Sequence, residues 1–315
     1  MKKLSLHLPR GRHVAGWSLA YRTAEGVSIL GDSAKFLKDP SVSHLQGQAQ
    51  LIFTSPPFPL NTKKRYGNLT GEEYLKWLAE FGSIFRQWLK PTGSLVVELG
   101  NAWEPGQPTM STLPLKALLR LQEENNFFLC QEFICHNPAR LPSPAAWVTV
   151  RRIRLKDSFT RLWWLSPVPS PKANNRRVLQ EYGADMKRLL AKKQYNAGTR
   201  PSEHHISAKS FLRNNGGAIS ANVLTFSNTT ANDAYHRYCR ARSLEPHPAR
   251  MPSPLAEFFI KFMTSPGDLV LDPFAGSNTT GAAAQSLRRR WISIEANSEY
   301  VAGSRGRFQM KRAKA

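Results

Sequence analysis

Acidic residues are scarce in this chain. Its 315 residues hold 22 Asp and Glu against 44 Lys and Arg, a formal charge of +22. A surplus of that size narrows the partners, because it attracts and steers polyanions. Nucleic acid comes first among these and an anionic membrane surface second. Long apolar runs are missing too, and none approaches the ~18 residues that a spanning helix needs. The opening MKKLSLHLPRGRH starts like a signal peptide, but Pro9, Arg10 and Arg12 interrupt the apolar stretch one requires. A cytoplasmic protein with no membrane association is expected. The three cysteines, Cys130, Cys135 and Cys239, show no CxxC pairing or other zinc-ligand spacing. They read as reduced, mostly buried thiols, and no metal is expected. GxGxxG is absent, which argues against a dinucleotide, and GK[ST] is absent, which argues against a P-loop.

Hydrophobic residues make up 41% of the chain, enough for a sizeable core, and the length suits one large catalytic core with a smaller module. Residues 1–20, basic and broken by Gly and Pro, read as an arm. Apolar runs at 27–30 and 49–53 end at Gly31-Asp32 and at Thr54-Ser55-Pro56-Pro57-Phe58. The spacing of Tyr74, Leu75, Trp77, Leu78, Phe81, Ile84, Phe85 and Trp88 predicts a helix over 71–89, which Thr70 could cap. SLVVEL at 94–99 reads as a buried strand, 113–125 as helix and 127–134 as strand. Residues 149–164 read as a strand pair. PARLPSP at 138–144 recurs as PARMPSP at 248–254, too short a repeat to imply a duplicated domain. From 167 to 245 the chain is Pro-, Asn- and Gly-rich, basic and weakly periodic. Strand–helix alternation then returns with DLVL at 268–271 and WISI at 291–294. Alternation on both sides of an irregular middle implies an α/β sheet interrupted by an inserted module.

The last strand–turn–helix–strand unit carries the first candidate site. In open α/β sheets ligands bind at the carboxyl ends of strands, where strand order reverses. The turn Asp272-Pro273-Phe274-Ala275-Gly276-Ser277, with Thr279 just beyond, suits a cationic ligand bearing one nucleoside. Gly276 lets the backbone approach closely. Asp272 could hold an ammonium group, and Glu295, 23 residues on, could accept from both ribose hydroxyls. Asp32 could accept from an adenine amino group, although a lone acid at a strand end is commonly a helix cap.

The second candidate is Ser55-Pro56-Pro57-Phe58. Two consecutive prolines fix the backbone and bring no amide hydrogens, so carbonyls are presented rigidly. Two acceptors, the Ser55 hydroxyl and the Pro56 carbonyl, could engage the two N–H groups of an exocyclic amine and free its lone pair. Phe58 could stack on an extruded base. No cysteine nucleophile is needed, since such a step rests on positioning and electrostatics. An ordinary turn with a buried Phe is the alternative reading.

TSPPF (54–58), the basic middle and LDPFAGSNTTG (271–281) together resemble the β-type amino-methyltransferases of bacterial restriction–modification, which place the catalytic motif before the cofactor motif. The stretches YRTAEGVSILGDS (21–33), NPARLPSPAAWV (137–148), RIRLKDSFTRLWWLS (152–166), TRPSEHHI (199–206), HPARMPSPLAEFFI (247–260) and WISIEANSEYVA (291–302) look like the PvuII-type N4-cytosine members. The resemblance spans about 21–308. It implies a permuted Rossmann-like fold that binds S-adenosylmethionine, with a target-recognition region inserted. It divides the chain into the arm (1–20), a catalytic half (21–166), the recognition region (167–245) and a cofactor-binding half (246–315). Ser before the two prolines marks the N4-cytosine group, where N6-adenine enzymes carry Asp or Asn. Glu98 stands where Asp is expected, in or near the base pocket. Glu203 and His205 also depart from the pattern, and they bear on the target sequence, for which a short palindrome such as CAGCTG is implied.

Double-stranded DNA is the expected partner, met by a monomer that shares its site, without a stable complex, with a cognate endonuclease. Between 149 and 216 there are 15 Lys and Arg against 4 Asp and Glu. Basic residues set backbone affinity, and a few side chains read base edges. Lys63 and Lys64 are candidates for phosphates beside the flipped base, and Arg200, His204 and His205 for the recognition region. Taken singly, each of these last three is more commonly a solvated surface charge, whereas Lys63 and Lys64 gain weight from following the catalytic motif at once. Three rivals stand against N4 methylation: adenine N6 as target, an RNA amine as target, and a cofactor-binding protein that binds DNA without catalysis.

Overall fold

A computed structural model describes residue 8 and residues 16–58, 69–227 and 232–308. The chain enters its sheet as an antiparallel hairpin, β1 (Trp17–Arg22) and β2 (Gly26–Gly31). The strand thus begins inside the segment that composition assigned to a basic arm. Asp32 accepts from Lys35 N at 2.8 Å and so caps the short α1 (Ser33–Lys38). Next come β3 (Ala49–Thr54), α2 (Gly71–Trp88), β4 (Leu89–Gly100), α3 (Leu113–Glu124), β5 (Phe128–His136) and β6 (Phe159–Ser166). Then follow α4 (Ala184–Lys192), β7 (Gly198–Thr199), β8 (His205–Ile206), β9 (Val223–Thr225), α5 (Ala234–Arg240) and α6 (Ser253–Met263). The chain closes with β10 (Leu269–Asp272), α7 (Thr279–Ser286), β11 (Arg290–Glu295) and α8 (Ser298–Ser304).

The chain divides into two compact units, residues 1–173 with 222–315, and residues 174–221. The larger holds a nine-stranded sheet in the order β1-β2-β11-β10-β3-β4-β6-β5-β9. From β2 through β4 the pairings are parallel. All six residues of β3 and all four of β10 are buried, as expected of strands covered on both faces. Ile52 faces the core under α1, α2 and α3, whereas Leu51 and Phe53 face the one under α6. Phe259 of α6 packs its ring against Phe53 at 5.2 Å and Phe133 at 5.0 Å, and truncation to Ala there costs about 3–5 kcal/mol. The connections β3→β4 and β10→β11 run outward in opposite directions, so strand order reverses between β3 and β10. That crevice is where the fold positions a ligand.

Several expectations need correcting. Thr70 occupies the cap position of α2 but makes no side-chain cap bond; Glu72 and Glu73 in the first turn favour that end of the helix instead. Residues 149–164 are not a strand pair. They comprise a π-helical turn at Ala146–Val150, an exposed basic loop and β6. The partners of β6 are β4 and β5, distant in sequence and invisible to local patterning. The basic middle is also not one piece. Leu224 of β9, and Tyr235 and Cys239 of α5, are buried in the larger unit, as that unit's boundary requires.

The smaller unit has a short 3₁₀ turn at Asn175–Val178, α4 and the two-residue β7–β8 pair. It holds nine Lys and Arg against three Asp and Glu and buries almost no apolar side chain. Its organisation comes from local polar bonds, such as the exchange between Gln180 and Ala218 at 2.9 Å and Tyr182 Oη accepting from Asn215 N at 2.8 Å.

Candidate active site

Both motifs leave the sheet at the reversal of strand order, side by side. Thr54, the last residue of β3, donates from Oγ1 to Asp272 Oδ1, the last residue of β10, at 2.9 Å. The catalytic and cofactor candidates are thereby joined beneath one cavity of about 650 Å³, a size suited to a nucleoside-bearing ligand. Ser55, Pro56, Pro57 and Phe58 line it, as do Asp32, Asp272, Phe274, Gly276, Ser277, Thr279 and Glu295.

The carboxylates differ in what already holds them. Asp32 spends one oxygen on capping α1, so the structural reading of this acid holds, yet the residue also lines the cavity. Asp272 is buried and accepts from Thr54 Oγ1 and from Phe274 N at 3.2 Å. Burial pushes its carboxyl up to about 6, against the stabilising hydroxyls of Thr280 and Thr54. Glu295 accepts from Gly276 N and from Asn297 N, both at 2.8 Å, one on each oxygen. Burial raises its pKa, opposed by those amides. The Ala296 amide bonds the carboxylate as well, and of its roughly four acceptor sites capacity remains for a hydroxyl donor.

The turn between β10 and α7 is held from several sides. Gly276 sits at φ +50°, and a Cβ there would meet the His247 ring at 3.0 Å. Asn278, left-handed at φ 56°, caps α7 through Gly281 N at 3.1 Å. Arg307 donates from Nε to Ser277 O at 2.6 Å and from Nη2 to Ser277 Oγ at 2.8 Å. Ser33 Oγ donates to Pro273 O. Phe274 is gripped by Trp77 and Phe81 of α2, with ring centroids 5.4 and 5.0 Å apart.

On the catalytic side, Phe58 packs over Gly100, where a Cβ would lie 2.5 Å from its ring. Glu98 is not among the cavity-lining residues. It is buried and hydrogen-bonds the Ser55 hydroxyl, while Thr160 Oγ1 donates to its Oε1 at 2.8 Å. Burial raises the Glu98 pKa, opposed by Thr160, Ser55 and the nearby Arg140 charge. With its hydrogen turned to Glu98, the Ser55 oxygen can offer its lone pairs to an N–H in the cavity. The nearby Cys135 thiol is pushed up to about 12 by burial, so no thiolate is at hand.

The remaining candidates fall elsewhere. Lys63 and Lys64 lie outside the described residues. Arg200, His204 and His205 belong to the smaller unit. There Arg200 donates to Asn196 O at 2.7 Å and lies 5.9 Å from the Tyr195 ring, while Thr199 Oγ1 is 3.4 Å from His205 Nδ1. His204 and His205 are exposed. Sequence reasoning missed His247, Tyr300, Trp77 and Arg307. His247 lines the cavity with its ring 4.6 Å from Tyr300. The PAR repeat drew attention to that stretch without any chemistry attached. Trp77 and Phe81 read as core positions of an amphipathic helix, which they also are. Nothing local singles out Arg307.

The chain matches the DNA methylase family, comprising N6 and N4 methyltransferases, over residues 49–305. It is 44% identical over 294 residues to the type II methyltransferase M.PvuII of Proteus hauseri, covering 92% of this chain and 85% of that one. A solved structure of the PvuII DNA methyltransferase, named cytosine-N4-specific, superposes with a TM-score of 0.75 at 37% identity, covering 94% of this chain and 90% of that one. The M1.HpyAVI complex with S-adenosylmethionine matches with a TM-score of 0.51 at 20% identity, over 89% of this chain and 98% of that one, a likeness of fold.

Proposed function

The chain belongs to the DNA methylase family, and from that premise we propose that it transfers the methyl group of S-adenosylmethionine to the exocyclic N4 of cytosine in double-stranded DNA. One observation carries the reading: the Thr54–Asp272 hydrogen bond that seats the Ser-Pro-Pro-Phe turn and the Asp-Pro-Phe turn under the same cavity. The PvuII enzyme bears the cytosine-N4 name, and Ser55 here precedes the two prolines, where adenine N6 enzymes would carry Asp or Asn.

The cavity fits the cofactor. Its carboxylates suit a ligand carrying an ammonium, a sulfonium and a ribose, and Gly276 leaves the turn open where a Cβ would collide. Asp272 would hold the cationic amino-acid part, Glu295 the ribose hydroxyls and Asp32 the adenine amine, with Phe274, Ser277 and Thr279 enclosing it. When bound, S-adenosylmethionine supplies an electrophilic methyl group. The protein's work is to present the amine. The Ser55 oxygen and the Pro56 carbonyl accept the two N–H bonds and draw the nitrogen out of conjugation with the ring. Phe58, fixed over Gly100, stacks on the extruded base. Glu98 holds the Ser55 hydroxyl in the accepting orientation, and the proton that the methylated nitrogen sheds would reach its carboxylate only by way of that hydroxyl.

We further propose that the protein acts as a monomer in the cytoplasm and is the modification partner of an endonuclease cutting the same site. The basic smaller unit would serve target recognition, with Arg200, His204 and His205 reading bases and Lys63 and Lys64 holding phosphates. Mass spectrometry of nucleosides, from plasmid DNA incubated with the protein and S-adenosylmethionine, is the test. N4-methyldeoxycytidine is expected. N6-methyldeoxyadenosine would move the target to adenine, and no methylated nucleoside would leave a binding protein.

A further inference from the structure

The loop between β5 and β6 is built and anchored, yet it presents apolar side chains to solvent. Leu155 is 90% exposed, Leu141 79% and Val150 77%. A leucine left in water forgoes the gain of burial, so several on one ordered loop point to an interaction surface. The loop is not a loose excursion. Its π-helical turn is capped by Arg151 N on Ala146 O at 3.1 Å, and Ile153 N returns to Trp147 O at 2.9 Å. Asp157 N donates to Ser143 O at 3.0 Å, and Asn137 N to Ser158 O at 2.8 Å closes the base.

Charge identifies the occupant. Residues 138–156 carry five Lys and Arg and no Asp or Glu, and Leu155 itself lies between Arg154 and Lys156. Exposed apolar side chains interspersed with cations match a polyanion with an apolar interior, which describes a duplex: phosphates outside, stacked bases within. Position points the same way. β5 ends and β6 begins where β4 ends, with Gly100 paired to Thr160 and His136 to Phe159. Phe58 packs on Gly100, and the next residue, Asn101, donates from Nδ2 to Asp157 Oδ1 at 2.8 Å. The loop therefore rises beside the turn that would receive an extruded base.

We propose that this loop is the DNA wedge of the enzyme: Leu155 enters the base stack at the target step, Leu141 and Val150 cover the exposed base faces, and Arg151 and Arg152 hold the flanking phosphates, while Arg154 and Lys156 brace the loop on Pro108 O and on Pro138 O and Arg140 O. The proposal rests on the DNA-methylation reading and adds the element that keeps the duplex open. Extrusion of a paired base gives up stacking and pairing, and an inserted apolar side chain offsets that loss by replacing contacts.

The test separates the two claims. A methylated site is first mapped on plasmid DNA with the wild-type protein. Short duplexes are then made with the target base either normally paired or opposite an abasic position. Leu155→Ala, at a site this exposed, should melt as the wild type does. It is expected to lose about tenfold in kcat/KM on the paired duplex and to recover most of that on the abasic-opposed duplex, where extrusion is easier. A fluorescent base analogue at the target position should brighten on binding wild type and much less with Leu155→Ala. Equal losses on both duplexes, or no loss on the paired one, would overturn the wedge. A wild-type protein that methylates no DNA would instead overturn the reading on which the wedge rests.

Discussion

The strand-end turns in the larger unit and the basic surface of the smaller unit are both rich in candidate residues, but they are held in opposite ways. Ser55, Asp272 and Glu295 each sit at or just past the end of a strand, and each has protein partners fixing its polar atoms. Arg200 and His204 flank the turn between β7 and β8 and His205 begins β8, with the two histidines exposed and little apolar burial beneath them. Chemistry needs atoms placed to a fraction of an ångström, so it is built on the sheet. Base reading can be completed on contact with DNA, so it can reside on local turns. Substitutions in the first region should therefore change rates and cofactor affinity. Those in the second should change which DNA is bound.

The largest effect is expected at Ser55. Ser55→Ala removes one of two acceptors for the amine, and by comparison with the loss of a preorganised polar contact the rate should fall about 10²–10³-fold. Affinity for S-adenosylmethionine should stay close to wild type, because the hydroxyl faces Glu98 and the base. Single-turnover methylation with calorimetry of cofactor binding would check both. A loss of cofactor affinity equal to the loss of rate would merge the two motifs into one structural element.

Asp272 should show the next largest effect, with a pH signature of its own. Asp272→Asn or Glu295→Gln should each weaken cofactor binding by ~1–3 kcal/mol, the loss of a charge-assisted hydrogen bond. Burial lifts the Asp272 carboxyl to about 6 in the folded protein. A cationic ligand favours the ionised form, so affinity should climb as pH rises through about 6 and flatten above it, with proton release in that window. For the cofactor-free fold the sign is reversed. A raised carboxyl pKa gives stability that is full below the ordinary Asp range and lost as pH rises through about 6. Asp272→Asn should abolish the pH step in binding, and a step that survived would have to belong to another group.

The sequence exposed the strand-end turns because their signals are local. A buried run followed by Ser-Pro-Pro-Phe, or by Asp-Pro-Phe-Ala-Gly, needs no knowledge of distant neighbours. The order β10 beside β3 could not be read that way, since it depends on pairing across more than two hundred residues. His247 and Arg307 were illegible for the same reason: their contacts with Gly276 and Ser277 exist only after folding. Alternating basic and apolar residues at 149–158 mimic a strand, whereas in the fold the apolar side chains of this loop remain in solvent. Composition made the middle region a single block of 167–245, yet burial of Leu224, Tyr235 and Cys239 ties its second half to the larger unit.

The smallest effects, and the sharpest test of the contrast, belong to the DNA-facing residues. Neutralising one phosphate contact releases fewer counterions, so Lys63→Ala or Lys64→Ala should each flatten the log–log salt dependence of binding by ~0.9. Cognate and scrambled duplexes should be weakened alike, because phosphates carry no sequence. His204→Ala should behave differently. A base-reading side chain should cost ~1–3 kcal/mol on the cognate duplex, little on the scrambled one, and leave the salt slope nearly unchanged. Arg200→Ala is the harder case, since its guanidinium already bonds Asn196 O and lies near the Tyr195 ring. Its loss would disturb the turn as well as any base contact, so His204 is the cleaner probe. Titrations of each variant on both duplexes, at several salt concentrations, give slope and specificity together. If His204→Ala weakens both duplexes equally and also flattens the slope, the segment at 199–206 is a phosphate clamp. Specificity would then have to come from elements anchored to the sheet, and the division of labour between the two units would fail.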